Sequence, residues 1–209
     1  MRCCSPAPVD ALLRTSGGLA VQRDQRSEGK PVASIDLLEQ KLGSDFDALD
    51  ANGDGFLSPE DLTQRVEATR IALGDMADPS KYGALHAATM QWWDQMSGIS
   101  GAVPGQRVSR TEYISAHIEA DQTTMNAALI PFVDALFDYV DIDGSQQLTR
   151  EEFIAFASAW NIQDPEAAFD ALDVDGSGSL TKQEFQKFMQ DFYTSTDPNA
   201  RGNNLNGPM

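Results

Sequence analysis

One unit recurs four times along this chain and dictates most of what the chain can fold into: two apolar residues three apart, followed at once by an aspartate. The copies are Phe46 and Leu49 before Asp50, Met90 and Trp93 before Asp94, Phe137 and Val140 before Asp141, and Phe169 and Leu172 before Asp173. A spacing of three puts both apolar side chains on one helix face, so each copy reads as a helix that delivers the chain into a loop opened by the aspartate. After each loop a second apolar pattern begins, with Leu62, Tyr113, Phe153 and Phe185 in its first turn. The expected fold is therefore all-α, with four helix-loop-helix units. The first helix is expected to start at Ser34, a suitable N-cap, and to present Ile35, Leu38, Leu42, Phe46 and Leu49 on one face.

Three of the loops carry oxygen-bearing residues at a fixed spacing: DANGDGFLSPED at 50–61, DIDGSQQLTREE at 141–152 and DVDGSGSLTKQE at 173–184. Ca²⁺ is a hard cation that takes about six to eight oxygen ligands, and a twelve-residue loop can supply them from positions 1, 3, 5, 7, 9 and 12. In the last loop these positions are Asp173, Asp175, Ser177, Ser179 through its carbonyl, Thr181 and Glu184, with Gly178 at the sharp turn. In the middle one they are Asp141, Asp143, Ser145, Gln147, Thr149 and Glu152, but Gln146 stands where glycine is preferred. A side chain held at positive φ costs about 1 kcal/mol or more, which predicts a weakened site. The first loop keeps Gly55 and offers Asp50, Asn52, Asp54, the Phe56 carbonyl and Ser58, yet it ends in Asp61. Aspartate is one methylene shorter than glutamate, so two-oxygen coordination is harder and the six-coordinate geometry of Mg²⁺ becomes more competitive.

Position 8 is apolar in each loop (Leu57, Leu148, Leu180), as required if loops pair through a short two-stranded ribbon. Pairing needs an even number of loops. The segment Asp94 to Glu112 is the missing partner, with Val108 as its apolar residue; counting back twelve from Glu112 puts Gly101, Val103 and Gly105 at positions 1, 3 and 5. None carries a side-chain oxygen, so this loop is expected to pair without binding metal.

The formal net charge of -17 argues against nucleic acid or an anionic membrane surface as the partner and points to cations. The charge is uneven: five basic and three acidic residues give positions 1–30 a net +2. Both cysteines, Cys3 and Cys4, are adjacent and form no disulfide framework. No apolar stretch approaches the length of a membrane span or a signal peptide, and a cytoplasmic monomer is expected. No nucleophile-base constellation or phosphate loop accompanies the acids, so no enzymatic activity is expected.

The loops identify the chain as a member of the EF-hand family. Three features make it resemble the sarcoplasmic calcium-binding proteins and calerythrin over residues 35–209: the long ligand-poor second loop, the short terminator Asp61, and the run LIPFVDALFDYVD at 129–141, where Pro131 is expected to break or kink the helix. The resemblance implies a compact fold of two EF-hand pairs and a role in buffering or transporting Ca²⁺, with Mg²⁺ competing at some sites. It divides the chain into an extension (1–33), an N-terminal pair (34–122), a C-terminal pair (123–193) and a tail (194–209). It further implies that the non-helical segment after Asp191 folds back over the apolar surface between the pairs, anchored by Leu205 and Met209. Two other functions compete. A calmodulin-like sensor regulating a partner protein would expose a methionine-rich groove, whereas Met76, Met90, Met96, Met125 and Met189 are scattered. A small-molecule carrier or luminescent photoprotein would use a cavity lined by Trp92, Trp93 and Trp160, although only His86 and His117 could serve it as histidines.

Overall fold

A computed structural model describes residues 32–74, 78–101, 106–162 and 164–204. The basic leader with Cys3 and Cys4, Met76, and the proposed anchors Leu205 and Met209 lie outside them. Eight helices follow one another: α1 (Val32–Leu49), α2 (Pro59–Leu73), α3 (Pro79–Ile99), α4 (Arg110–Glu119), α5 (Gln122–Val140), α6 (Arg150–Ala159), α7 (Pro165–Leu172) and α8 (Lys182–Thr194). Two-residue strands β1 (Phe56–Leu57) and β2 (Val108–Ser109) pair antiparallel, as do β3 (Gln147–Thr149) and β4 (Ser179–Thr181). The expected position-8 pairs are both present, Leu57 opposite Val108 and Leu148 opposite Leu180, and all four side chains are buried.

Local chemistry accounts for the helix starts. Pro59, Pro79 and Pro165 open α2, α3 and α7, where a missing N–H costs nothing. Asp78, Asp121 and Asp164 accept from backbone N–H groups at the first turns of α3, α5 and α7. The Ser80 hydroxyl and N–H hold the Asp78 carboxyl below its usual range, and the Thr124 N–H and hydroxyl do the same for Asp121.

Leu62, Tyr113, Phe153 and Phe185 are all buried at the starts of their helices. The core is continuous from one half to the other. Trp92 of α3 meets Phe132 of α5 (ring centroids 5.8 Å), Phe132 meets Trp160 (6.1 Å), and Trp92 meets Tyr193 of α8 (6.5 Å). Only Ala120 and Asp121 separate α4 from α5, so no long helix holds the two pairs apart.

Four expectations are corrected. Asp94 does not open a loop: α3 runs through it to Ile99, because Met96 and Ser97 continue its buried face. α1 already includes Val32, so Ser34 lies in its first turn instead of capping it. α5 is continuous across Pro131 from Gln122 to Val140, so the proline does not break it; Leu129, Phe132 and Val133 are buried on either side of it. α8 extends beyond Asp191 to Thr194, because Phe192 and Tyr193 are fully buried core residues that carry the apolar face onward.

Candidate metal sites

The last helix-forming feature of each loop is also its last candidate ligand. Positions 9 and 12 form a capping box: the position-9 residue is the N-cap of the exiting helix and the position-12 carboxylate reaches back to it. In the loop at 141–152 the Thr149 N–H and hydroxyl both donate to Glu152 Oε2, at 2.8 and 2.9 Å. In the loop at 173–184 the Thr181 N–H and hydroxyl both donate to Glu184 Oε2 at 2.8 Å. Ser58 donates likewise to Asp61 Oδ2, at 2.9 and 2.6 Å. Even the ligand-poor loop keeps the box, with Ser109 donating to Glu112 Oε2 at 2.8 and 2.6 Å.

The second carboxylate oxygen distinguishes the sites. Glu152 Oε1 accepts the Ile142 N–H at 2.8 Å and Glu184 Oε1 accepts the Val174 N–H at 3.1 Å, each spanning its loop to position 2. Asp61, one methylene shorter, makes no such reach. Its residue is 1% exposed, and its Oδ1 is buried without a hydrogen-bond partner. A buried carboxylate oxygen left this way is costly unless a further donor or a cation meets it.

At the opposite end, the position-1 aspartates organise the turn by accepting two N–H groups each. Asp50 takes those of Asp54 (3.2 Å) and Gly55 (2.9 Å), Asp141 those of Ser145 and Gln146 (both 3.0 Å), and Asp173 those of Ser177 (2.9 Å) and Gly178 (2.8 Å). The position-3 side chains Asn52, Asp143 and Asp175 each accept the position-5 N–H, at 2.8, 2.9 and 3.0 Å. The turning residues adopt positive φ as expected: 81° at Gly55, 84° at Gly178 and 66° at Gln146. Gln146 is one of two non-glycine residues in that region among those described, so it carries the strain that its two counterparts avoid. At position 5, the Ser145 and Ser177 hydroxyls donate to the position-7 carbonyls of Gln147 (2.8 Å) and Ser179 (2.9 Å).

These bonds bring acids together in two places. Asp141, Asp143 and Glu152 each offer an oxygen within 4.8 Å of the others, and so do Asp173, Asp175 and Glu184. Asp50, Asp54 and Asp61 are not gathered in that way, and Asp54 instead pairs with Arg107 from the ligand-poor loop. Three carboxylates so close, with hard oxygen donors around them, fit a divalent cation such as Ca²⁺. Hydrogen bonds favour the charged form of Asp143, Asp173 and Glu184. The Gly178 N–H, followed by that of Ser177, holds Asp173 below the usual carboxylate range, and the Ser145 hydroxyl and N–H lower Asp143. At Glu184 burial pushes upward, but the donors on Thr181 and Val174 outweigh it and the net shift is down.

Sequence reasoning missed the residues around the sites. Lys81 of α3 donates to the Asp141 carbonyl at 2.7 Å, linking the N-terminal half to the middle loop. Arg150 spans Glu166 and Asp170, both at 2.7 Å, beside the last loop. Lone basic residues carry no positional signal, so only the fold identifies their partners.

An EF-hand domain pair matches residues 39–158, and a single EF hand matches residues 166–189. The chain belongs to the EF-hand family. Its fold is similar to the calcium-loaded apo form of the coelenterazine-binding protein of Renilla muelleri (21% identity, 86% of this chain and 100% of that one, TM-score 0.65). It is also similar to a Streptomyces coelicolor calcium-binding protein (22%, 76% and 98%, 0.65) and to a sarcoplasmic calcium-binding protein from amphioxus (20%, 83% and 98%, 0.64). No curated protein sequence matches the chain significantly. No helix among the described residues is long and apolar enough to cross a membrane.

Proposed function

We propose that this EF-hand protein is a cytoplasmic Ca²⁺ buffer or transporter with three metal sites, at 50–61, 141–152 and 173–184, and that Mg²⁺ competes chiefly at the first. Bound Ca²⁺ would supply the positive charge that the gathered carboxylates require. The protein's part is to preorganise those carboxylates through the capping boxes and the N–H groups of each turn.

The observation that carries the buffering role is the fate of the C-terminal segment. Lys41 of α1 is 1% exposed, and its ammonium donates to the Asp191 carbonyl (2.9 Å), the Ser195 carbonyl (2.7 Å) and Asn203 Oδ1 (3.0 Å). A 3-10 turn at Arg201–Asn204 therefore lies back against α8. Gly202 sits so close that a Cβ there would fall 2.4 Å from the Phe188 carbonyl oxygen, and Arg201 donates to the Ala171 carbonyl at 3.0 Å. Phe188, Met189, Phe192 and Tyr193 of α8 are buried. A covered groove does not recruit a target helix, and Met96, Met125 and Met189 are core residues.

A sensor is the second reading, favoured because the similar Streptomyces protein is described in terms of calcium-mediated regulation. The carrier reading fits less well: Trp92 and Trp160 line an internal cavity, but its volume is about 20 Å³, room for about one water molecule. Binding of the dye ANS to the Ca²⁺-loaded protein separates buffer from sensor. Little binding by the intact chain, rising after removal of residues 194–209 or in Lys41→Met, supports the buffer. Strong binding by the intact chain, unchanged by truncation, supports the sensor.

A further inference from the structure

The two ribbons are closed across the same position by different chemistry. In the C-terminal ribbon the position-7 side chains meet as neutral partners, Ser179 Oγ donating to Gln147 Oε1 at 2.6 Å. In the N-terminal ribbon, where Leu57 lies opposite Val108 and Phe56 opposite Ser109, the two position-7 residues are Phe56 and Arg107, diagonal neighbours across the ribbon. The Arg107 guanidinium lies over the Phe56 ring, 4.5 Å from its centroid, and forms an ion pair with Asp54. Asp54 is the position-5 residue of the first loop, where the other two loops have Ser145 and Ser177. Its Oδ1 accepts the Phe56 N–H at 3.0 Å while Oδ2 faces the arginine.

We propose that Arg107 is an affinity-setting residue of the first site: the ligand-poor loop supplies its partner with a fixed cation that competes with Ca²⁺ for Asp54. The inference rests on the assignment of a metal site to Asp50–Asp61. Calcium affinity in such loops follows the number of charged ligands and the rigidity of the site. The first loop has three carboxylates at ligand positions, Asp50, Asp54 and Asp61, and Arg107 neutralises one. Either the guanidinium leaves Asp54 when the ion arrives, or both cations share the carboxylate and repel each other. Both routes weaken binding at the first site only, so this site fills after the C-terminal pair and empties before it. The ring of Phe56, itself 40% exposed, holds the guanidinium in place.

The test is a Ca²⁺ titration of the full chain by calorimetry, with the Gly55 and Gly178 amides followed by NMR as reporters of the first and last sites. Each amide donates to its own position-1 aspartate. Arg107→Ala should tighten the transition at Gly55 by roughly three- to tenfold at low salt, less as salt rises, and leave Gly178 unmoved. Arg107→Lys, which keeps the charge but loses the planar stack on Phe56, should shift Gly55 less than Arg107→Ala does. A Gly55 transition unchanged or weakened in Arg107→Ala, or an equal shift at Gly178, overturns the proposal. Two ions in the wild type and three in Arg107→Ala uphold it while overturning the three-site count. Two ions in both overturn the proposal and the count together.

Discussion

The N-terminal and C-terminal EF-hand pairs share one scaffold and differ in what they do with it. Both have an antiparallel ribbon closed by buried position-8 residues, and all four loops have a capping box between positions 9 and 12. Among the described residues, only the C-terminal pair gathers three acids in each of its loops. In the N-terminal pair one loop lacks side-chain oxygens at positions 1, 3 and 5, and the other ends in an aspartate whose outer oxygen finds no partner. Folding and the proposed metal binding thus rest on sets of residues that overlap at the position-12 carboxylate, which caps the exiting helix through one oxygen. The apolar stripes, ribbon and capping box build the loop, and acids at positions 1 and 3 with a long position-12 carboxylate gather three carboxylates in it.

The largest effect should come from removing that long carboxylate. Glu184→Gln keeps the Thr181 cap acceptor but removes a charged ligand, and should weaken Ca²⁺ at the last site by on the order of 100-fold. Calorimetry should then count one ion fewer at micromolar Ca²⁺, with the helical circular dichroism signal retained. If helix content collapses instead, the cap needs the charge of this carboxylate and not its oxygen alone.

The joint between the pairs gives the next largest effect. His117 of α4 packs on Tyr193 of α8 (5.5 Å) and on Tyr113 (4.3 Å), and its Nδ1 lies 2.9 Å from the Tyr113 carbonyl. Burial lowers its pKa to about 4, against the small upward pull of that carbonyl. The folded state therefore binds this proton less readily than the unfolded chain, whose imidazole titrates near pH 6.5. The stability it contributes is present above pH 6.5 and is lost as pH falls towards 4. Between pH 7 and pH 5 the loss should be about 2 kcal/mol. Urea unfolding should show that slope in the wild type and a flatter one in His117→Phe; identical slopes would place the imidazole in water.

Within the C-terminal pair, Gln146→Gly should remove the positive-φ strain and stabilise the metal-free protein by about 1 kcal/mol, read as a higher midpoint in urea unfolding; an unchanged midpoint would mean that the loop carries no such strain. The smallest effect is expected at the first site. Asp61→Glu should let the second carboxylate oxygen reach position 2 as Glu152 and Glu184 do, raising the preference for Ca²⁺ over Mg²⁺ several-fold. Paired titrations with and without millimolar Mg²⁺ would measure it, and an unchanged preference would mean that chain length at this position does not set selectivity.

The scaffold was largely legible in the sequence because it rests on local periodicity. The stripes before Asp50, Asp141 and Asp173, the ribbon residues and the positive φ of Gln146 could all be read directly. The Asp94 copy misled because its aspartate lies on a helix whose buried face simply continues through Met96. Contacts made by single polar side chains over long separations could not be read at all. Lys41 reaches Asn203 across 162 positions, and Arg107 meets Asp54 only because the ribbon brings them together. The buried Lys41, whose ammonium donates to three acceptors in and around the tail, is of this kind: no periodicity marks it in the sequence.

On the proposed function, one scaffold holds two strong sites in the C-terminal pair and one weaker site in the N-terminal pair. Calorimetric titration of the metal-free full chain with Ca²⁺, repeated in millimolar Mg²⁺, tests it directly. The expected result is three ions per chain, two of them tight and little affected by Mg²⁺, and the third weaker and strongly displaced by Mg²⁺. Four ions, or three of equal affinity with equal sensitivity to Mg²⁺, would contradict it.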